Sequence, residues 1–286
     1  MKTLTAGLRT SLLRSLLLVL ALLVAPAAST AAVFVSVDIA PPALPVYVQP
    51  PVPGPGYIWT PGYWAYGGDG YYWVPGTWVL APYVGALWTP GYWGWGGAAF
   101  IWHGGYWGPH VGFYGGINYG FGYFGVGYHG GYWNRGSFNY NTAVTNVNVT
   151  NIHNTYNQAV AQNTAVTRVS YNGGTGGLAA QPTAEERLAE RDTHRPATQL
   201  QVRHEQLAST NRAQLASVNR GTPSLMATPK AAAYKSQVAG TTAGAHPQAA
   251  RQPQHAAGVQ SQPHPQAHVQ NAPHPQAQHH EEGHPR

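Results

Sequence analysis

At 286 residues the chain has room for two domains, but 35 Gly and 24 Pro make up about a fifth of it and only 8% is charged, so less than half should pack into a core. Without cysteine it has no disulfide, thiolate metal site, cysteine nucleophile or lipid-modified Cys. The formal charge of +6 falls to +3 once Lys2, Arg9 and Arg14 are removed with a leader (12 Lys and Arg against 9 Asp and Glu), and residues 39–167 carry only Asp69 and Arg135, which excludes the basic face a nucleic-acid binder needs.

Residues 1–30 read as a secretory signal: three basic residues, the apolar run Leu16 to Val24, then small residues with cleavage expected between Ala27 and Ala32. The run stops at Pro26, short of the roughly 20 apolar residues a membrane span requires, and no later segment is apolar enough to span. Residues 31–56 form a Pro-rich linker, since PPALPVYVQPPVPGP (41–55) lacks backbone donors for a central strand and reads as a stiff polyproline spacer.

Residues 57–135 repeat one aromatic frame, Trp-x-x-Gly-x-Trp, as WTPGYW (59–64), WVPGTW (73–78), WTPGYW (88–93), WHGGYW (102–107) and a degraded YHGGYW (128–133). Pro61 and Gly62 carry a type II turn signature, with Pro presetting φ and Gly accepting φ > 0. Gly62, Gly76, Gly91, Gly105 and Gly131 are therefore expected as turn glycines, and Trp59 should face Trp64 across the turn. Such turns match strand twist less well than primed types, so a distortion or bulge is expected as well. Taking GGDG (67–70) as a second loop, index arithmetic sets Trp64 opposite Trp73, and the same sums set Trp78 opposite Trp88 and Trp93 opposite Trp102.

The expected fold is mainly β: an antiparallel meander of short hairpins with a Trp ladder along one face, extended by Tyr57, Tyr71 and Phe100. Tyr63, Tyr72, Thr77, Tyr92, Ile101 and Tyr106 should occupy the other face. The ladder serves as core and cross-strand glue, or as a recognition surface formed by Trp59, Trp64, Trp73, Trp78, Trp88, Trp93, Trp95, Trp102 and Trp107.

Beyond the module, residues 136–172 are rich in Asn, Thr and Val, and the alternation VTNVNVTNI (144–152) predicts a strand. Residues 173–221 read as a polar helical segment. Thr183 with Glu186 forms a capping box, Asn211 with Gln214 a weaker one running toward Gly221, and Leu188, Leu200, Leu207, Leu215 and Val218 form a thin apolar stripe. Residues 222–286, dominated by Ala, Pro, Gln and His, predict a disordered tail.

The frame Tyr57-x-Trp59-x-x-Gly62-x-Trp64, renewed at Tyr71, Trp73, Gly76 and Trp78, resembles the YXWGXW (WXXGXW) repeat proteins of bacteria. The resemblance extends to IAPPALPVY (39–47), GPHVGFYGG (108–116), IHNTY (152–156) and RVSYNGG (168–174), reaching about residue 235. It implies export and a repeat module, and it brings no catalytic residue with it. The chain departs from the frame at Ala86 and Val126, where the leading Tyr is lost, and at Tyr128, where Trp is lost; the last copy need not form a full hairpin.

Chemistry is sparse. Asp69 stands alone in a turn, and His103, His110, His129 and His153 are the only other candidate acid or base groups of the folded region; His103 and His129 sit inside the frame as exposed turn residues. Eight His lie between His246 and His284, a composition that suits weak metal binding without fixed geometry. The expectation is a non-enzymatic, exported envelope protein, periplasmic, on the outer-membrane surface or extracellular. It needs no cofactor, and its partner is envelope or extracellular polysaccharide. The alternative is periplasmic metal handling through the His-rich tail.

Overall fold

The chain enters the fold through a short strand, β1 (Ser36–Val37), and then an extended Pro-rich stretch before the first repeat. The computed structural model describes residues 35–160 and 167–234, and the fold is mainly β, built of short antiparallel hairpins with a few short helices. The expected signal (1–30) and the His-rich part of the tail lie outside the described residues.

The first two Trp frames make one long hairpin. β2 (Tyr57–Thr60) and β3 (Tyr63–Gly67) form one arm, and β4 (Gly70–Val74) and β5 (Gly76–Leu80) form the other. A single register runs through both tiers: β2 pairs with β5, placing Trp59 opposite Trp78, and β3 pairs with β4, placing Trp64 opposite Trp73. The next two frames repeat this plan in β6 (Leu87–Thr89), β7 (Tyr92–Trp95), β8 (Phe100–His103) and β9 (Tyr106–Gly108), with Trp88 opposite Trp107 and Trp93 opposite Trp102.

The Pro-Gly steps are breaks between two tiers of one hairpin. The expected Trp59–Trp64 and Trp78–Trp88 pairs are thus replaced by Trp59–Trp78 and Trp88–Trp107, while the Trp64–Trp73 and Trp93–Trp102 pairs form as expected. Pro61 and Pro75 lack an N–H, so the ladder cannot continue through them, yet the arms stay in register.

Gly62, Gly76, Gly91 and Gly105 turn no corner, and none has positive φ. Each instead lies under the indole of the opposing frame. A Cβ on Gly76 would stand 2.5 Å from Cζ2 of Trp59, one on Gly91 2.5 Å from Cζ2 of Trp102, and one on Gly105 2.5 Å from Cζ2 of Trp88, while one on Gly62 would collide with Trp73. The spacing therefore has a reciprocal meaning: the first Trp of each frame covers the glycine of the frame it pairs with. Gly131 also departs from the expected turn role, because a Cβ there would strike Phe138 and the Asn139 carbonyl on the facing strand.

The fifth frame leads into a half-sized version. After the small ribbon of β10 (Asn118–Gly120) and β11 (Tyr123–Phe124), β12 (Gly131–Asn134) pairs with β13 (Ser137–Asn141), and Phe138 takes the place of the missing Trp opposite Trp133. The closing residues Arg135 and Gly136 both have positive φ, 47° and 83°, as a type I′ turn requires. The remaining short strands, β14 (Thr155–Tyr156), β15 (Tyr171–Asn172) and β16 (Ala227–Thr228), add in parallel to β13, β7 and β5 respectively.

Four facing indole pairs form the centre of the core, with centroids 5.1 to 5.3 Å apart and planes inclined at 54° to 67°. This tilted geometry suits ring quadrupoles better than face-to-face stacking. Tyr123, fully buried, ties the two long hairpins together, its hydroxyl lying 3.2 Å from the Trp59 carbonyl and 2.9 Å from the Trp88 carbonyl, equivalent positions of the two repeats.

A buried indole needs an acceptor for its N–H, and strand carbonyls are largely occupied by the ladder. The acceptors come from elsewhere in the chain: Trp64 donates to the Ala43 carbonyl, Trp78 to Pro50 and Trp73 to Met226, at 2.9 to 3.1 Å. The buried Nε1 of Trp59 has no partner among the described residues. These bonds account for two departures from expectation. The Pro-rich stretch is a strap laid on the aromatic core, with Leu44, Gln49 and Val52 buried, and the start of the expected tail is built in, with Thr228 fully buried beside β5.

The Asn/Thr/Val run 144–152 does not form the expected strand. Its side chains bond locally and to the strap: Asn148 accepts from the Thr150 N–H, and Asn146 brackets Gln49, its backbone N–H donating to the Gln49 side-chain oxygen and its Nδ2 to the Gln49 carbonyl, both at 2.8 Å.

The helices sit where capping predicts. α1 (Ala184–Ala189) begins at the Thr183 and Glu186 capping box, and α2 (Gln199–Ser209) begins at a second box, Thr198 with Gln201, that the sequence reading missed. Asn211 caps a 3-10 turn, Arg212–Gln214, followed by α3 (Ala216–Asn219). Their apolar stripe is only partly used, with Leu188, Leu200 and Val218 exposed and Leu215 packed at the edge of a small cluster in which Ala208 of α2 meets Ala65, Tyr72 and Val74; α2 also buries His204. Among the described residues no helix is long and apolar enough to cross a membrane.

Candidate functional site

The expected recognition surface of nine indoles is mostly interior. Trp59, Trp64, Trp73, Trp78, Trp88, Trp93 and Trp107 are buried and Trp102 is half-buried, because facing pairs satisfy each other and are sealed by the strap and by β16. Trp95, at the end of β7, keeps 38% of its surface free. Its ring lies 4.9 Å from Phe100, which Tyr171 meets edge-on at the same distance, and it packs closely on Gly173 and Gly174, where a Cβ would come within 3.1 and 3.0 Å.

A cleft of about 150 Å³ opens where the breaks of the two long hairpins meet, beneath α2. Pro61, Pro75 and Pro90 form its frame, with Tyr63, Trp102 and Glu205 on its walls. Tyr63 and Trp102 stack at 5.0 Å with 18° between planes. The Glu205 carboxylate accepts from the Tyr63 hydroxyl at 3.0 Å and the Tyr72 hydroxyl at 3.5 Å. Burial, then the neighbouring carboxylate, raise the pKa of both phenols well above the ordinary 10, so they remain protonated donors. Gln201, one turn before Glu205, accepts from Trp107 Nε1 at 2.8 Å and so fixes α2 to the second hairpin.

His204 forms part of the same wall and is neutral. Its Nε2 lies 2.9 Å from the Pro75 carbonyl, which only accepts, and its Nδ1 lies 3.0 Å from the Ala232 N–H, which only donates, so the proton sits on Nε2. Burial, opposed by the Pro75 bond, lowers its pKa from 6.5 to about 4. Between those values the unfolded chain binds a proton that the folded one does not, so this contribution to stability is complete above pH 6.5 and is lost as pH falls toward 4. Unfolding free energy should fall by about 3 kcal/mol across that window. His204→Gln should flatten the dependence in denaturant titrations, and an unchanged slope would assign the loss to other groups.

The remaining candidates stay apart. Asp69 is exposed in the loop between β3 and β4, and His103, His110, His129 and His153 are all exposed on separate elements. His103 lies in β8, not in a turn, stacked on Tyr92 at 4.5 Å. Among the described residues no group of three or more His, Cys, Asp or Glu side chains is placed to hold a metal ion.

Cleft and core together define an aromatic β-repeat protein whose structural unit is a two-tier hairpin bearing two Trp frames. Comparison with known families matches two copies of the WXXGXW repeat, at residues 54–79 and 87–107, so the chain carries this repeat in both long hairpins. Each matched segment coincides with one two-tier hairpin. Among curated proteins and among solved structures, none matches the chain.

Proposed function

We propose that the protein is exported to the bacterial cell envelope and acts there without catalysis, its aromatic core holding a rigid module that attaches to envelope polysaccharide. The leader-like residues 1–30 support export. The observation that carries attachment is Trp95, a partly free indole held by Phe100 and by two glycines that bring no side chains over it. Such a ring offers an apolar face to sugar C–H groups. A buried indole such as Trp93, whose Nε1 donates to the Trp64 carbonyl at 2.7 Å, cannot serve in this way.

Sedimentation with purified peptidoglycan and envelope polysaccharides tests the proposal. Trp95→Ala should reduce retention about tenfold, a loss of roughly 1.4 kcal/mol, while the protein stays folded with less than about 1 kcal/mol of stability lost. Wild-type protein that stays in the supernatant with all of these glycans, or a variant that binds as well as wild type, would overturn it.

A further inference from the structure

The cleft between the hairpin breaks has a chemical bias of its own. Glu205 is the only formally charged residue on its walls, His204 being neutral. Its partners are two neutral phenols, and among the described residues no Lys or Arg lies within ion-pair distance of it. Hydrogen bonds from phenols satisfy lone pairs but leave the negative charge uncompensated in a half-buried setting.

Pro61, Pro75 and Pro90 have no N–H to offer. Several donors of the lining are engaged: the His204 N–H with the Pro75 carbonyl, the Tyr63 hydroxyl with Glu205, and the Tyr119 hydroxyl with the Gly91 carbonyl. The one carboxylate, Glu205, therefore sets the charge preference of the cleft.

We infer that this cleft binds the head of an organic cation, an alkylammonium or a guanidinium, between the Glu205 carboxylate and the stacked rings of Tyr63 and Trp102. The rings add the attraction of an aromatic quadrupole for positive charge, which strengthens as water is excluded. The volume of about 150 Å³ is comparable with cavities that hold a benzene-sized guest, so it accommodates one such head group and not a polymer. This site is separate from Trp95 and does not depend on glycan attachment.

The test is titration of the full chain with butylammonium and methylguanidinium, each against its uncharged counterpart, butanol and methylurea, followed by calorimetry and tryptophan fluorescence. Both cations should bind at least about tenfold more tightly than their counterparts, and Glu205→Gln should remove that preference while Trp95→Ala leaves it intact. Equal affinity for charged and uncharged probes, no binding of either cation, or a preference that survives Glu205→Gln would each overturn the assignment. If Glu205→Gln fails to fold, the charged-against-uncharged comparison on the wild-type chain decides the question alone.

Discussion

Alanine at position 105 is expected to destabilise the protein by about 3 kcal/mol, while alanine at the adjacent position 104 should change its stability by no more than about 0.5 kcal/mol. Both glycines belong to the same frame, WHGGYW, and neither has positive φ, so backbone freedom does not separate them. Their surroundings do. A Cβ on Gly105 would lie 2.5 Å from Trp88 Cζ2, 2.8 Å from the Gly91 nitrogen and 2.8 Å from the Thr89 carbonyl oxygen, whereas a Cβ on Gly104 meets nothing within 4 Å. Two of the three obstacles are backbone of the opposite arm, and the third is the edge of a rigid ring in the core, so relief requires the hairpin to open at its break. Paired denaturation curves measure the difference. Similar losses at both positions would show that the frame glycine does not serve as the seat of the opposing indole.

That role explains why the repeat was easier to see than to fold. WTPGYW contains a sound local turn signal in Pro61-Gly62, and Trp59 and Trp64 are spaced to face each other across it. The loop at Gly67 to Gly70 sets a register that pairs Trp64 with Trp73 and, carried outward past the prolines, Trp59 with Trp78. Both readings put indole opposite indole, so aromatic pairing alone cannot choose between them. The close approach of Gly62 and Gly76 chooses, because a Cβ on Gly76 would come within 3.0 Å of the Gly62 nitrogen across the break. Capping chemistry is local and therefore readable, as Thr183 with Glu186 shows.

The segments around the repeats were harder to read because their order depends on distant partners. Composition makes PPALPVYVQPPVPGP a spacer, but its carbonyls are free of any ladder, and those of Ala43 and Pro50 accept the indole N–H groups of Trp64 and Trp78. The same logic places Met226 against Trp73 and orders the start of the low-complexity tail. Ten Trp in a chain without cysteine carry a usable signal: each buried indole needs one acceptor from outside its own ladder. The cleft was least readable, since Tyr63, Trp102 and Glu205 are far apart in sequence and meet only when two hairpin breaks and α2 converge.

Removing the Trp78 indole is expected to cost about 3–5 kcal/mol, against less than about 1 kcal/mol for the exposed Trp95. Trp78 is fully buried, sits 5.1 Å from Trp59 and donates to the Pro50 carbonyl at 2.9 Å, so truncation opens a cavity and frees the strap at once. The decisive measurement is a pair of double-mutant cycles with leucine replacements. Trp59 with Trp78, 19 positions apart but facing, should couple by about 1 kcal/mol, and Trp59 with Trp64, neighbours in the frame but in different tiers, by less than about 0.3 kcal/mol. The reverse ranking would restore a turn at Pro61-Gly62 and dissolve the two-tier hairpin. With it would go the cleft, because only a break that keeps both arms in register can bring Pro61 and Pro75 together on one side of Glu205.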